Sequence, residues 1–163
     1  MLRSGQVGTA ALAVVAVVAG MTTISAQQAT EEAPSWEEQP YILENGAFDY
    51  GVYNGHRRYH AFCHVCHGPD ALGSSFAPAL ADSMKTLSYE EFLEVVVNGQ
   101  ETAVAGQQNV MPAFGEVQDV MLYIDHLYAY LKARADGVLD RGRPQRLPAD
   151  EDPVFQDYQA QQG

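Results

Sequence analysis

The sequence predicts an all-α domain, and three observations carry that prediction. Apolar residues recur at helical spacing late in the chain, with Val120, Ile124, Leu127 and Leu131 on one face. Ser88 and Glu91 stand three residues apart ahead of Phe92, Leu93 and Val96, the pattern of a capping box that opens a helix. No stretch alternates apolar and polar residues convincingly. Val95-Val96-Val97 is β-branched, but it is short and the capping box outweighs it.

Three helices follow in order. The first is expected from about Gly51 to Cys63, with Asp49 as its N-cap and Val52, Tyr59 and Phe62 on one face. The second starts at Ser88 and stops at Asn98-Gly99, since glycine tolerates the left-handed conformation at a helix end. The third spans about Val117–Ala135, with Met121 and Tyr128 beside its apolar stripe. Lys132 and Arg134 lie in its last turn, where positive charge suits the helix dipole, and Gly137 closes it.

The ends read differently. Residues 1–26 resemble an export signal: Arg3 is the only charge, residues 10–19 are apolar, and small and polar residues lead to Ala26 as the cleavage point. The apolar run falls short of the ~20 residues of a spanning helix. No stable membrane insertion is expected after cleavage, with an uncleaved anchor as the alternative. Residues 27–44 form an acidic leader without expected regular structure, which Trp36, Tyr41, Ile42 and Leu43 can strap onto the core. Residues 45–140 are the domain proper. Residues 141–163 form a tail whose Pro144, Pro148 and Pro153 argue against a helix, leaving a surface strap or no fixed structure. Cleavage after Ala26 takes the formal charge from −12 to −13. Such a surface repels nucleic acid and anionic membrane and suits a partner with a basic patch.

The chemistry sits in Cys63-His64-Val65-Cys66-His67, a Cys-x-x-Cys-His string. Both cysteines of the chain lie in it, so no thiol remains for a disulfide. This is the attachment pattern of a c-type haem: two thiols add to the two vinyl groups of one porphyrin edge, and His67 supplies a nitrogen to the iron. A thioredoxin-like pair needs a βαβ setting that is not visible here, and a zinc site needs further ligand pairs that His56, His60, His64 and His126 do not form. His64 fills a variable position, and its ring is expected to face solvent. For the other face of the iron the candidate is Met111, stiffened by Pro112 in Asn109-Val110-Met111-Pro112-Ala113-Phe114. Met84 is the rival but lies soon after His67 in an early loop, and Met121 reads as core. An open or His-ligated iron, with Met111 merely packing, is the remaining alternative. Arg57 and Arg58 can reach a propionate or be solvated charges on the helix face.

Over about residues 48–137 the chain resembles the class I c-type cytochromes. The resemblance rests on Gly55 and Tyr59, eight and four positions before Cys63, on Tyr130 with Leu127 in the last helix, and on Pro78 in Ala77-Pro78-Ala79-Leu80. It implies that Gly55 and Tyr130 meet where the terminal helices cross, and that the Pro78 carbonyl holds His67 as the proximal ligand. Segments 53–60, 63–70, 73–80, 108–112 and 130–137 are further similar to the methanol-metabolism-related cytochromes. That resemblance implies a periplasmic carrier, not an enzyme, with one covalently bound haem c. It implies as donor a pyrroloquinoline-quinone (PQQ)-dependent alcohol or methanol dehydrogenase, and as acceptor a downstream cytochrome or terminal oxidase. Electrons are expected to cross at an exposed edge framed by Cys63, Cys66, Phe76 and Met111. A haem peroxidase or gas sensor with a displaceable sixth ligand, or a docked subunit of a larger dehydrogenase complex, are the other readings.

Overall fold

The computed structural model describes residues 34–104 and 107–162, all of which lie in one compact unit. Residues 1–26 and the start of the leader lie outside the described residues. Among the described residues, no helix is long and apolar enough to cross a membrane.

The frame is a pair of crossing helices. Helix α1, Tyr50–Phe62, begins where expected: the Asp49 side chain accepts from the Val52 N–H at 3.1 Å. Its partner α6, Ile124–Ala135, buries Leu127, Tyr128, Tyr130 and Leu131. Tyr59 and Tyr130 are fully buried with ring centroids 5.3 Å apart, so the crossing is packed by aromatic rings. Gly55 is what allows the close approach: any Cβ there would overlap the His126 carbonyl.

The expected third helix is two helices. A short α5, Gln118–Met121, is followed by a break at Tyr123 (φ −126°, ψ 27°) before α6. At that break the Tyr123 ring lies under the Arg58 guanidinium, 4.2 Å from the ring centre, and a tertiary contact overrides the periodicity. Met121 consequently ends a four-residue helix, half-buried and outside the core cluster.

Between the frame helices, α2 (His64–His67) continues almost directly from α1, and a 3₁₀ turn spans Pro69–Ala71. Helix α3 covers Leu80–Ser83, and α4 covers Tyr89–Asn98. The Ser88–Glu91 capping box is formed from both sides, and the β-branched run 95–97 is helical as expected.

Two small antiparallel sheets stand beside the helices and leave the all-α class unchanged. Strands β1 (Leu43–Glu44) and β2 (Ala47–Phe48) pair around Asn45-Gly46, both with positive φ, 51° and 82°. Strands β3 (Gln100–Val104) and β4 (Gln107–Met111) pair with Gln100 opposite Met111. The first hairpin runs across the expected leader–domain boundary at residue 45.

In the tail one expectation is corrected, that its prolines keep it free of helix. Residues 145–147 lie along β2, with the Phe48 N–H donating to Gln145 O and the Leu147 N–H to Phe48 O, each 2.8 Å. Pro153 then opens helix α7, Pro153–Ala160, instead of breaking it. Proline has no N–H to lose at the first helical position, and Asp152 caps that turn through the Phe155 N–H at 3.0 Å. The Arg146 guanidinium stacks 4.0 Å over Phe155, which packs on Tyr50.

Candidate haem site

Each functional side chain is positioned by a local cause. Cys63 caps α1, and the single turn α2 brings the Cys66 and His67 N–H groups back onto the Cys63 carbonyl at 3.2 and 3.0 Å. Both thiols and the imidazole therefore leave one short stretch. Gly68 follows with φ 74°, a left-handed conformation that suits glycine, and a Cβ there would run into the Gly73 backbone. The Gly73 N–H then closes on the His67 carbonyl at 2.8 Å.

His67 is buried, and its Nδ1 lies 3.0 Å from the carbonyl of Pro78. A carbonyl only accepts, so Nδ1 carries the proton and donates, leaving the lone pair on Nε2. The ring is thereby fixed with one nitrogen satisfied and the other free to bind a metal.

Beside it lies a cavity with about 560 Å³ of unfilled space, part of it open to solvent. Cys63 and His67 line one part of it. Leu80, Met84 and Leu87 come from α3 and its sequel. Phe92, Val95 and Val96 come from α4, and Val120, Leu127 and Leu131 from α5 and α6. Met111 and Phe114 enter from the hairpin and the turn beyond it. This wall is otherwise apolar, with the Cys63 thiol, the His67 imidazole and the sulfurs of Met84 and Met111 as its heteroatom donors, and Cys66 follows on the exposed side of the same turn. The donor set fits a porphyrin iron with thioether attachment and excludes water from it. Burial, and then the neighbouring Cys66, push the Cys63 thiol up to about 12, so in the folded chain it is neutral. Addition to a vinyl group uses a thiolate, which fits attachment before the fold closes.

Met111 is the last residue of β4. The hairpin is pinned at its return: the Phe114 and Gly115 N–H groups donate to the Val96 and Val97 carbonyls of α4 at 2.9 and 3.1 Å. Pro112, lacking an N–H, ends the strand. Met84 is only 1% exposed and lines the same cavity from the C-cap of α3, not from an open loop. Sequence reasoning set Met84 aside on spacing, and the apolar wall residues Leu80, Leu87, Phe92, Val95 and Phe114 carried no chemical signal.

Arg57 and Arg58 do not line the cavity. Arg57 is exposed, and Arg58 pairs with Asp119 at 2.5 Å while lying over the Tyr123 ring. His64 does not face solvent freely. It is half-buried and stacks on His60 at 5.4 Å, and His60 in turn stacks on His56 at 4.1 Å. A residue that sequence reading passed over is Asp70, at φ 60° in the 3₁₀ turn after His67. Its carboxylate accepts from the Gly142 N–H at 2.7 Å and Arg141 at 3.1 Å, while its carbonyl accepts from buried Arg134 at 2.9 Å. Burial alone raises its carboxyl, but these donors outweigh it and hold the group below 3.8. The tail is thus tied directly behind the Cys-x-x-Cys-His segment.

Cys66 is exposed. Val65, next to it in the chain, and Phe76 are each 71% exposed, and Leu72 is exposed as well. Val110 stands exposed beside Met111.

The chain is similar to known cytochromes. Cytochrome c-555 from Methylococcus capsulatus is 39% identical over 95 residues, covering 58% of this chain and 71% of that protein. The chain belongs to the class I c-type cytochromes. A crystal structure of the c-type cytochrome XoxG from Methylobacterium extorquens AM1 superposes with a TM-score of 0.59 at 46% identity, covering 72% of this chain and 74% of that one. Cytochrome c-553I from Paracoccus denitrificans is 48% identical over 114 residues, which is 70% of this chain but 49% of that protein. The chain thus spans about half the length of that relative. A family profile described as "Cytochrome C oxidase, cbb3-type, subunit III" matches residues 52–131. As a member of this family the cytochrome carries a covalently bound haem c.

Proposed function

We propose that this cytochrome is a periplasmic one-electron carrier, with its haem attached through Cys63 and Cys66 and its iron ligated by His67 and Met111. Its donor is a PQQ-dependent alcohol dehydrogenase of the methanol-oxidising kind, and its acceptor a downstream cytochrome or terminal oxidase. One observation carries the reading. The Pro78 carbonyl occupies Nδ1 of His67, so the free Nε2 belongs to an apolar cavity that Cys63 and Met111 also line. The resemblance to methanol-metabolism cytochromes, with 46% identity to XoxG, supports the donor class.

When bound, the haem supplies a reversible ferric–ferrous couple. The chain's residues do the rest. Pro78 orients His67 and raises its basicity through the hydrogen bond. Met111 offers a soft, neutral sulfur that favours the reduced iron. Between Met111 and Met84, the hairpin origin favours Met111. Met84 follows closely on Pro78, on the stretch that holds His67 from behind. Leu127, Leu131, Phe92 and Val96 keep water out, and Val65, Leu72 and Phe76 give a partner an apolar edge beside Cys66.

Expression with haem-maturation machinery tests the core of this. One haem should survive acid–acetone extraction, and the alcohol-reduced PQQ dehydrogenase should reduce it. Haem that extracts freely from the protein would reject the attachment, and a ferric protein left unreduced would reject the donor.

A further inference from the structure

We propose that Trp36 and the carboxylates around it form a second docking site, for a basic one-electron acceptor protein, joined to the haem cavity through Tyr128 and Phe92. The inference rests on the reading of the chain as an electron carrier and adds where its acceptor binds.

Trp36 is the single tryptophan of the chain and remains 47% exposed. Its ring stacks on Tyr128, with centroids 5.7 Å apart and planes 28° apart, and stands edge-on to Tyr89 at 5.2 Å. Tyr128 meets Phe92 at 5.4 Å, and Phe92 lines the haem cavity. An unbroken line of aromatic contacts therefore runs from the surface to the cavity wall. Electron tunnelling weakens across gaps, and packed rings leave none along this line.

The ring is held in place. Glu38 accepts from the Ser35 N–H at 2.8 Å and hydroxyl at 3.0 Å, fixing the turn that carries Trp36, and the Tyr128 hydroxyl donates to the Glu37 carbonyl at 3.1 Å. A residue that only fastened the leader would gain most by burying its ring. This one keeps half its surface open while its backbone is fixed.

Charge decides the occupant. Glu37 and Glu38 are exposed on the same turn, and exposed Asp125 accepts from Tyr89. The cation that reaches this turn, Lys132, is engaged with Asp136 at 3.4 Å. A Lys or Arg of a basic partner gains a cation–π contact over the indole and the attraction of the carboxylates. In the transfer itself one electron leaves the reduced iron and the acceptor gains it, with no proton moved and no bond made or broken. The donor keeps the Cys66 edge, so reduction and oxidation need not compete for one surface.

The test uses the haem-loaded protein. Its single indole N–H is followed by ¹H–¹⁵N spectra while oligolysine, cationic and redox-silent, is titrated in. A saturable shift that high salt abolishes is expected. In kinetics, Trp36→Ala should slow oxidation by tris(phenanthroline)cobalt(III) about tenfold, the scale of a desolvated cation–π contact. Glu37→Lys, whose side chain holds neither the turn nor the rings, should weaken oligolysine binding. Reduction by the dehydrogenase and the reduction potential should not move in either variant. A haem that does not cycle reversibly would defeat the carrier reading. A cycling haem with an unmoved indole, or unchanged cobalt kinetics in Trp36→Ala, overturns the second site alone.

Discussion

Gly55 and Tyr130 meet at the crossing of α1 and α6 with no room for a side chain between them. A Cβ on Gly55 would stand 2.9 Å from the Tyr130 Cβ and would overlap the backbone carbonyl of His126. A side chain can rotate away from an intruder, but a helix backbone cannot. Overpacking usually costs about 1–3 kcal/mol, and Gly55→Ala should fall at the upper end of that range. Gly55→Val should block maturation or lower the melting temperature further. Thermal melts of the haem-loaded variants check this, and a wild-type melt for Gly55→Ala would contradict the crossing described.

What the sequence made legible was local or fixed by spacing. Asp49 and the Ser88–Glu91 pair announce helix starts because capping is a short-range interaction. Gly55, Tyr59, Pro78 and Tyr130 were reached through family resemblance and stand where it implied. The hairpin that delivers Met111 is hidden because Gln100, Glu101 and Thr102 face Met111, Val110 and Asn109 with no apolar alternation to read. Asn45-Gly46 is a strong two-residue turn signal, but the strands it joins are two residues each, too short to show a period. Pro153 reads as a helix breaker only when Asp152 before it is not recognised as a cap. Met84 lies close to His67 along the chain, but that separation does not measure distance across a cavity.

The presence of two thioethers in one cavity makes the ligand assignment testable by a pair of variants. Met111→Ala should keep covalent haem, lose the weak long-wavelength sulfur band of the ferric spectrum, and lower the potential, because the soft ligand is gone. Met84→Ala should keep the band and lose stability instead, by about 2–5 kcal/mol for a buried Met replaced by Ala. A band that survives in Met111→Ala and vanishes in Met84→Ala would exchange the two roles.

His56 gives the fold a sensitivity to acid. Burial first, then the charges of His60 and Arg143, lower its pKa from 6.5 to about 4. The unfolded chain therefore takes up this proton at a higher pH than the folded one. Stability should fall as pH drops from about 6.5 towards 4 and this contribution should level off below that. His126, lowered by burial, acts in the same direction. The His56 ring stands edge-on to Tyr130 at 5.5 Å, so His56→Phe keeps an aromatic ring there without a titrating group. Melting temperatures of the two proteins from pH 7 to 4 should converge or cross as the wild type loses more. Parallel profiles would remove His56 from the account.

The last prediction concerns how the donor finds the cytochrome. The chain carries a formal charge of −12, and −13 without residues 1–26. Among the described residues, five Lys and Arg side chains are engaged in ion pairs: Arg58 with Asp119, Lys85 with Asp82, Lys132 with Asp136, Arg141 with Asp70 and Arg146 with Asp152. The excess charge a partner meets at long range is therefore carboxylate. Around Cys66 the surface is instead apolar, with Val65 and Phe76 most exposed. With the proposed dehydrogenase as donor, and a basic patch on it, long-range attraction should govern the encounter and apolar contact the docked complex. The two respond differently to salt. The screening length shrinks from about 30 Å at 0.01 M to about 10 Å at 0.1 M, which weakens steering but not contacts already made. In stopped-flow mixing with the alcohol-reduced PQQ dehydrogenase, the second-order rate of haem reduction should fall steeply as salt rises, while the rate at saturation stays nearly flat. Reversal of carboxylates at the rim should slow the encounter without moving the potential. A second-order rate that stays flat or rises with salt would take charge out of the encounter and leave the apolar edge at Val65 and Phe76 as its whole basis.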